Sequence, residues 1–303
     1  MKRILSLLLS LLLLVPFCTA LAADNARCVI GADLSEAEVA AVYENFGFAR
    51  GSIAELTLNN SEERELLSGL VDESVIGSKS ISCVYIELLG EGSGYEIESH
   101  NVNWCSDEMY INALVTAGLA DVKVIVAAPF TVSGTAALAG IYKAYEDMTG
   151  EKLDDIAKEV STQELVITGE LADEIGKIDA AGIVNEIKLI LDETRKMSDE
   201  ELKAEIQSIA AGYNITLNET QLSQLVLLCR QLEKLDDAGL IQKVKDVQRG
   251  IEKLGELQDK AQEGKEKLDD VMEKADGLWA KVQPYVQSVI DLVKGFFEQE
   301  QQS

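Results

Sequence analysis

Along residues 24–150 the apolar positions switch between a period of two and a period near 3.6, the pattern of alternating strands and helices. Residues 27–32 (RCVIGA) read as a strand that turns through Asp33-Leu34-Ser35 into a helix. Ser35 with Glu38 fits a capping box ahead of Val39, Ala40, Val42 and Tyr43. A short strand at 53–58 leads through Asn59-Asn60-Ser61 into an acidic-start helix at 62–70. Strand-like runs at 80–89 and 95–102 flank Gly90-Glu91-Gly92-Ser93-Gly94, which predicts a hairpin. Pairing symmetrically about Gly92, that hairpin sets residue 84 opposite residue 100. A helix at 107–119, a strand at 122–128 and a helix at 133–148 complete this half. The word VIVAA (124–128) is apolar at every position, as in a strand covered on both faces.

Beyond about Gly150 the strand signals stop. Segments 152–160, 162–176, 179–195, 199–212 and 218–235 carry helical periodicity, with Ser198/Glu201 and Asn218/Gln221 as further caps. The strand-like word LVIT (165–168) stands alone among helix formers. From Val244, alternating steps of three and four reach Phe296, and fourteen of the sixteen positions are apolar or Ala. That is a coiled-coil or long-bundle pattern, which Gly250, Gly255, Gly264, Gly277 and Pro284 divide into two or three helices. The expected architecture is an α/β N-terminal half with a mixed sheet (24–150), then an all-α, coiled-coil-like C-terminal half. The latter comprises a helical region (151–237) and long heptad-patterned helices (238–303). With apolar faces of its own, the α/β half is expected to fold alone.

The first 22 residues read as a cleavable secretory signal. Lys2 and Arg3 precede an apolar run of twelve residues (4–15), Pro16 breaks it, and Ala20-Leu21-Ala22 supplies the small residues a signal peptidase accepts. Twelve residues are too short to span a ~30 Å hydrocarbon core. Phe17 before Cys18 does not suit a lipoprotein signal. The expected location is therefore extracytoplasmic, after cleavage near Ala22. Four cysteines remain, Cys28, Cys83, Cys105 and Cys229, with three complete pairings open. They form no C-x-x-C, so neither a zinc knuckle nor a thioredoxin motif is present. Cys229 shares a helix face with Leu222, Leu225, Val226 and Leu232, as a buried inert thiol would.

Charge removes several function classes. The 303 residues carry 53 Asp+Glu against 27 Lys+Arg, a net −26. Removing residues 1–22 takes away Lys2 and Arg3 and no acid, moving the net charge to −28. A basic nucleic-acid footprint is excluded, and docking on anionic lipid is disfavoured. One His in the chain excludes a multi-His metal site and any paired-His scheme.

Three groups of words carry a family resemblance: Gly31-Ala32-Asp33-Leu34-Ser35, the stretch 76–82 (IGSKSIS), and above all residues 99–146. QELVITGEL (163–171) and NITLNETQLSQL (214–225) add to it. On these words the chain resembles the YpuA-like family of secreted Gram-positive proteins, domain-of-unknown-function family 1002, over roughly residues 24–235. The resemblance implies export, a soluble domain and a Gram-positive envelope setting. It carries over no catalytic residue, and the cysteines depart from the family pattern, so no disulfide is carried over either.

Candidate chemistry is sparse. The glycines at 90–94 suggest a phosphate loop, but a second strand follows where a dinucleotide site needs a helix N-terminus, so a turn is the better reading. Ser133-Gly134-Thr135 does open a helix at a strand's carboxyl end, where anions bind, although no Lys or Arg stands near it in sequence. Packing turn and N-cap are its plainer reading. His100 and Cys105 could pair as imidazole and thiolate only within about 3 Å, whereas five extended residues between them span ~16 Å. Asp33, His100 and Glu108 are the candidates for an acid/base set. The acidic runs at 154–155, 199–201 and 269–270 lack the spacing of an EF-hand. No cofactor or metal is implied. The leading functional expectation is a non-enzymatic binding or interaction module, with a protein partner or self-association through the C-terminal helices. The alternatives are a carboxylate-dependent envelope hydrolase and peripheral membrane association through residues 278–303. That last segment has an apolar face but no Lys/Arg excess, and burial against residues 240–275 is favoured.

Overall fold

Five strands, β1 (Ala26–Gly31), β2 (Ala54–Leu58), β3 (Cys83–Leu88), β4 (Tyr95–Val102) and β5 (Val122–Val132), form one mixed sheet in the order β2-β1-β3-β5-β4. The computed structural model describes residues 25–70, 76, 78–235, 240–245 and 247. β1 runs parallel to β2 and β4 parallel to β5, while β3 is antiparallel to both β1 and β5. Parallel neighbours need a crossover, and helices supply it. α1 (Glu36–Phe46) links β1 to β2, α2 (Asn60–Leu67) follows β2, and α3 (Asp107–Thr116) links β4 to β5. The Ser35–Glu38 capping box is present, and a second one joins Asn59 to Glu62 at the start of α2.

The predicted hairpin does not form. β5 lies between β3 and β4, so Val84 faces Val126 and Val29, and His100 faces Ala127. The physical reason lies in the side chains: all-apolar VIVAA takes a central position, whereas β4, with exposed Glu96 and Glu98, can sit at an edge. The glycine-rich turn joins strands that are not neighbours. It is held by Asp121, whose Oδ1 accepts from Gly94 N at 2.7 Å and whose carbonyl accepts from Leu89 N at 2.7 Å.

Each sheet face has its own core. Val29, Val84, Ile86, Val122, Val124 and Val126 pack beneath α3 and α4 (Ala137–Thr149). On the opposite face Cys28, Ile30, Cys83, Tyr85 and Ile125 meet Val39, Val42, Tyr43 and Phe46 of α1.

A helical layer follows: α5 (Asp155–Ile175), α6 (Lys177–Leu189), α7 (Leu191–Thr194), α8 (Asp199–Gly212) and α9 (Glu219–Leu232). LVIT is helical, part of α5, and all four of its residues are buried. A helix covered on every side needs no polar stripe, so a short word from it reads like a strand. α5 packs against α3 and α6, and Trp104 lies across its Gly169.

Mixed sheet and helical layer thus match the two expected halves. The coiled-coil pattern falls outside the described residues except at its first two positions, Val244 and Val247, which are buried. Nearby, Lys243 Nζ donates to Gly118 O at 3.3 Å. Residues 1–22, expected to be a leader, and 278–303, expected to present an apolar helix face, also lie outside the described residues. Among the described residues no helix is long and apolar enough to cross a membrane.

Candidate functional site

β2 ends at Leu58, and Asn59 immediately caps α2, so the first turn of α2 stands beside the middle of α4. Between α2, α4 and the start of α5 lies a cleft of about 710 Å³. Its apolar lining comes from Leu58, Leu66, Leu70, Ala139 and Tyr142. Its polar lining is built from ion pairs. Lys143 Nζ donates to Glu62 Oε1 at 2.5 Å and to the Thr57 carbonyl at 2.6 Å, so it also guards the outer edge of β2. Glu146 accepts from Lys152 Nζ at 2.6 Å, Lys158 Nζ at 3.1 Å and Leu153 N at 3.1 Å. Asp155 pairs with Lys158 at 2.9 Å.

These partners fix the charge states. Burial pushes the Glu62 carboxyl up, but the Lys143 bond and the Asn59 amide outweigh it and hold the group below the usual carboxylate range. Glu146 behaves the same way, with Lys152, Lys158 and the Leu153 amide prevailing over burial. Burial pushes Lys158 down, and its bonds to Asp155 and Glu146 carry it above the ordinary lysine value. The carboxylates that pair here are ionised and neutralised, so the cleft offers fixed charge rather than an acid or base poised near neutrality. Its size and mixed lining are those of a small-ligand site.

Of the residues weighed from the sequence, Asp155 of the 154–155 run lines this cleft, whereas Asp33, His100, Glu108, Ser133 and Thr135 do not. Asp33 sits at the end of β1, where its Oδ2 accepts from Ser80 N at 2.8 Å. Ser80 Oγ donates to Glu63 Oε1 at 2.5 Å, and Asn60 Nδ2 donates to Oε2 at 3.3 Å. Glu63 is fully buried, and burial pushes its carboxyl up. Gly31 is required here, because a Cβ would collide with the Ser80 carbonyl. The word GADLS and Ser80 of IGSKSIS therefore meet as a clamp on the end of β1.

His100 lies on β4, its Nε2 3.0 Å from Glu98 Oε1, and Glu108 lies in the first turn of α3. β3 and β5 stand between β1 and β4, a span of about 14 Å at ~4.8 Å per strand. Asp33 is therefore not brought to His100 and Glu108. Cys105 is buried beside Tyr110 and the Gly134 turn, and burial pushes its thiol up to about 12. Burial likewise raises Cys28 and Cys229 to about 11 and Cys83 to about 12. All four thiols are free and buried. None is a nucleophile at neutral pH.

Ser133 and Thr135 form a packed turn. Thr135 is buried, its Oγ1 is 3.4 Å from Ser133 Oγ, and Tyr110 Oη donates to Gly134 O at 2.7 Å. The helix that follows has Ala136 as its N-cap, without a side-chain cap bond. Among the described residues no group of His, Cys, Asp and Glu could hold a metal ion. The cleft was missed because no local pattern announces it. Its only trace is the pair Lys143 and Glu146, charged residues one turn apart on a helix that is otherwise apolar toward the core.

The family described as protein of unknown function (DUF1002) matches residues 30–254. "Uncharacterized protein YpuA" of Bacillus subtilis (strain 168) is 36% identical over 266 residues, covering 86% of this chain and 83% of that protein. No solved structure matches the chain.

Proposed function

The chain belongs to the DUF1002 family of proteins of unknown function, and we propose that it is an exported, non-enzymatic binding module whose ligand sits in the cleft between α2, α4 and α5. The observation that carries the reading is the cleft itself, about 710 Å³ with an apolar lining and paired, ionised charges. Export is supported by the leader-like residues 1–22, and N-terminal sequencing of the secreted protein should begin at Ala23. Catalysis draws no support from the groups present: the thiols are buried, and Asp33 is held apart from His100 and Glu108. The test is a screen of charged, polar and apolar small molecules against the chain from Ala23, followed through the NMR resonances of Ala139 and Tyr142. Saturable shifts with the ligand recovered intact support a binding module. Turnover of a ligand, lost in Glu62→Gln or Glu146→Gln, would make the cleft an active site and restore the envelope-hydrolase alternative. Self-association through residues 249–303 is a separate proposal, read by light scattering of chains ending at Gln248 and at Ser303.

A further inference from the structure

The charges of the cleft do not balance. Among the described residues, five carboxylates (Glu62, Glu65, Glu146, Asp155, Glu159) line it beside three ammonium groups. Lys143, Lys152 and Lys158 are each engaged, with Glu62, Glu146 and Asp155 as their partners. Glu65 on α2 and Glu159 on α5 are left over: both are exposed, and neither has an ion-pair or hydrogen-bond partner among the described residues. A ligand entering here meets apolar surface from Leu58, Leu66 and Tyr142 and two carboxylates with no cation of their own.

We propose that the cleft takes a short basic peptide, a lysine-type side chain laying its methylene stem on the apolar lining and its ammonium against Glu65 and Glu159. The inference rests on the cleft being the binding site and adds the chemistry of what fills it. Three features select this occupant. A lysine side chain is itself an apolar stem with a charged head, the same combination in mirror charge. An acidic ligand is opposed by the carboxylate excess, and each of the three lysines already holds a carboxylate of the protein. A bare cation is not favoured, because no cluster among the described residues has metal-holding geometry. The volume, about 710 Å³, accommodates a few residues of peptide.

The experiment uses the chain from Ala23 and three acetylated, amidated tetrapeptides: leucine-lysine-lysine-leucine and its glutamine and glutamate counterparts. Binding is followed at the Ala139 and Tyr142 resonances, with wild type and the double variant Glu65→Gln/Glu159→Gln. Both substituted carboxylates are exposed and unpaired, so the thermal midpoint should not change, which separates lost binding from lost fold. The lysine peptide should bind about tenfold tighter than the glutamine peptide, and the double variant should abolish that preference while leaving the glutamine peptide unaffected. Raising the salt should weaken the lysine peptide alone. Glutamine or glutamate peptides binding as tightly as lysine at these resonances would overturn the basic specificity and leave the cleft standing as a site. A lysine peptide that shifts other resonances, or binds the double variant as well as wild type, also overturns the proposal. The same holds if no peptide moves the cleft resonances; the small-molecule screen then decides separately whether the cleft binds at all.

Discussion

Two of the contacts at the junction of the helical layer with the sheet and its helices are open to single-residue tests. At Gly169, in the middle of α5, a Cβ would collide with the ring of Trp104, whose Nε1 donates to Asp173 Oδ2 at 2.9 Å. Glycine costs a helix about 1 kcal/mol relative to alanine, so in isolation Gly169→Ala would stabilise α5. Overpacking against an indole costs about 1–3 kcal/mol. The second effect wins, and chemical denaturation of Gly169→Ala should show a net loss of up to about 2 kcal/mol; a gain would mean that Trp104 yields freely. The other is a charged pair inside the helical layer, between α5 and α6, to which Thr116 and Asn112 of α3 are bonded. Lys188 Nζ lies 2.7 Å from Glu164 Oε1 with both side chains fully buried, and Thr116 Oγ1 donates to the other carboxylate oxygen at 2.5 Å. Burial pushes the lysine below its ordinary value, against the pull of Glu164. Removing one partner leaves a buried charge unpaired. Glu164→Leu should therefore cost about 3–5 kcal/mol, while Lys188→Met/Glu164→Leu should recover most of the loss. Additive single and double changes would show that the two residues do not act as a pair.

Among the elements, α2 carries two neighbouring carboxyls whose titrations oppose each other. Burial pushes Glu62 up, but Lys143 and the Asn59 amide prevail and lower it, so its stabilising contribution is present at neutral pH and is lost as acidity passes its folded pKa. Glu63 is raised by burial, so its contribution is complete below the unfolded glutamate value and is lost as pH climbs through the folded one. Urea unfolding between pH 4 and pH 8 separates them. Glu62→Gln should be destabilised at pH 8, by about 0.2–1 kcal/mol for a partly exposed pair, with the deficit beginning to shrink only as pH falls below the ordinary glutamate value. Glu63→Gln should gain on wild type as pH rises; parallel curves for wild type and Glu63→Gln would show that its carboxyl does not titrate differently on folding. The capping boxes that start α1, α8 and α9 were legible in sequence because Ser35/Glu38, Ser198/Glu201 and Asn218/Gln221 act within one turn. The partner of β4 was not legible, because a glycine-rich turn is equally compatible with a hairpin and with a strand inserted later in the chain. VIVAA, apolar on both sides, held the information that it would be central, but not which strand it would displace. The cleft was still harder to see: Glu62, Lys143 and Lys158 come from three helices up to about a hundred residues apart, and nothing in their local sequences records the meeting.

For the molecule as a whole, the question is whether residues 24–150 are a domain. A chain of about 125 residues ordinarily suffices for an independent core, and the two faces of the sheet supply one. The position of α3 argues the other way. Tyr110, Ala113 and Leu114 belong to the core above the sheet, yet Asn112, Val115 and Thr116 on the same helix are buried too. The cover on that second side comes from beyond residue 150: Asn112 Nδ2 donates to Ala181 O at 3.1 Å, Lys188 Nζ reaches Asn112 O at 3.3 Å, and Thr116 binds Glu164. A fragment ending at Gly150 exposes an apolar and hydrogen-bonding helix face to water and loses the α5 wall of the cleft. Patches of that kind drive association. The compact unit extends to Gln248. We therefore predict that residues 25–248 unfold in one cooperative transition as a soluble protein, and that residues 25–150 self-associate or melt without one. Sedimentation and differential scanning calorimetry of the two fragments check this. A monomeric 25–150 fragment with its own sharp transition would show that the helical layer is an accessory, and that α3 tolerates water on the face which here meets Glu164 and Lys188.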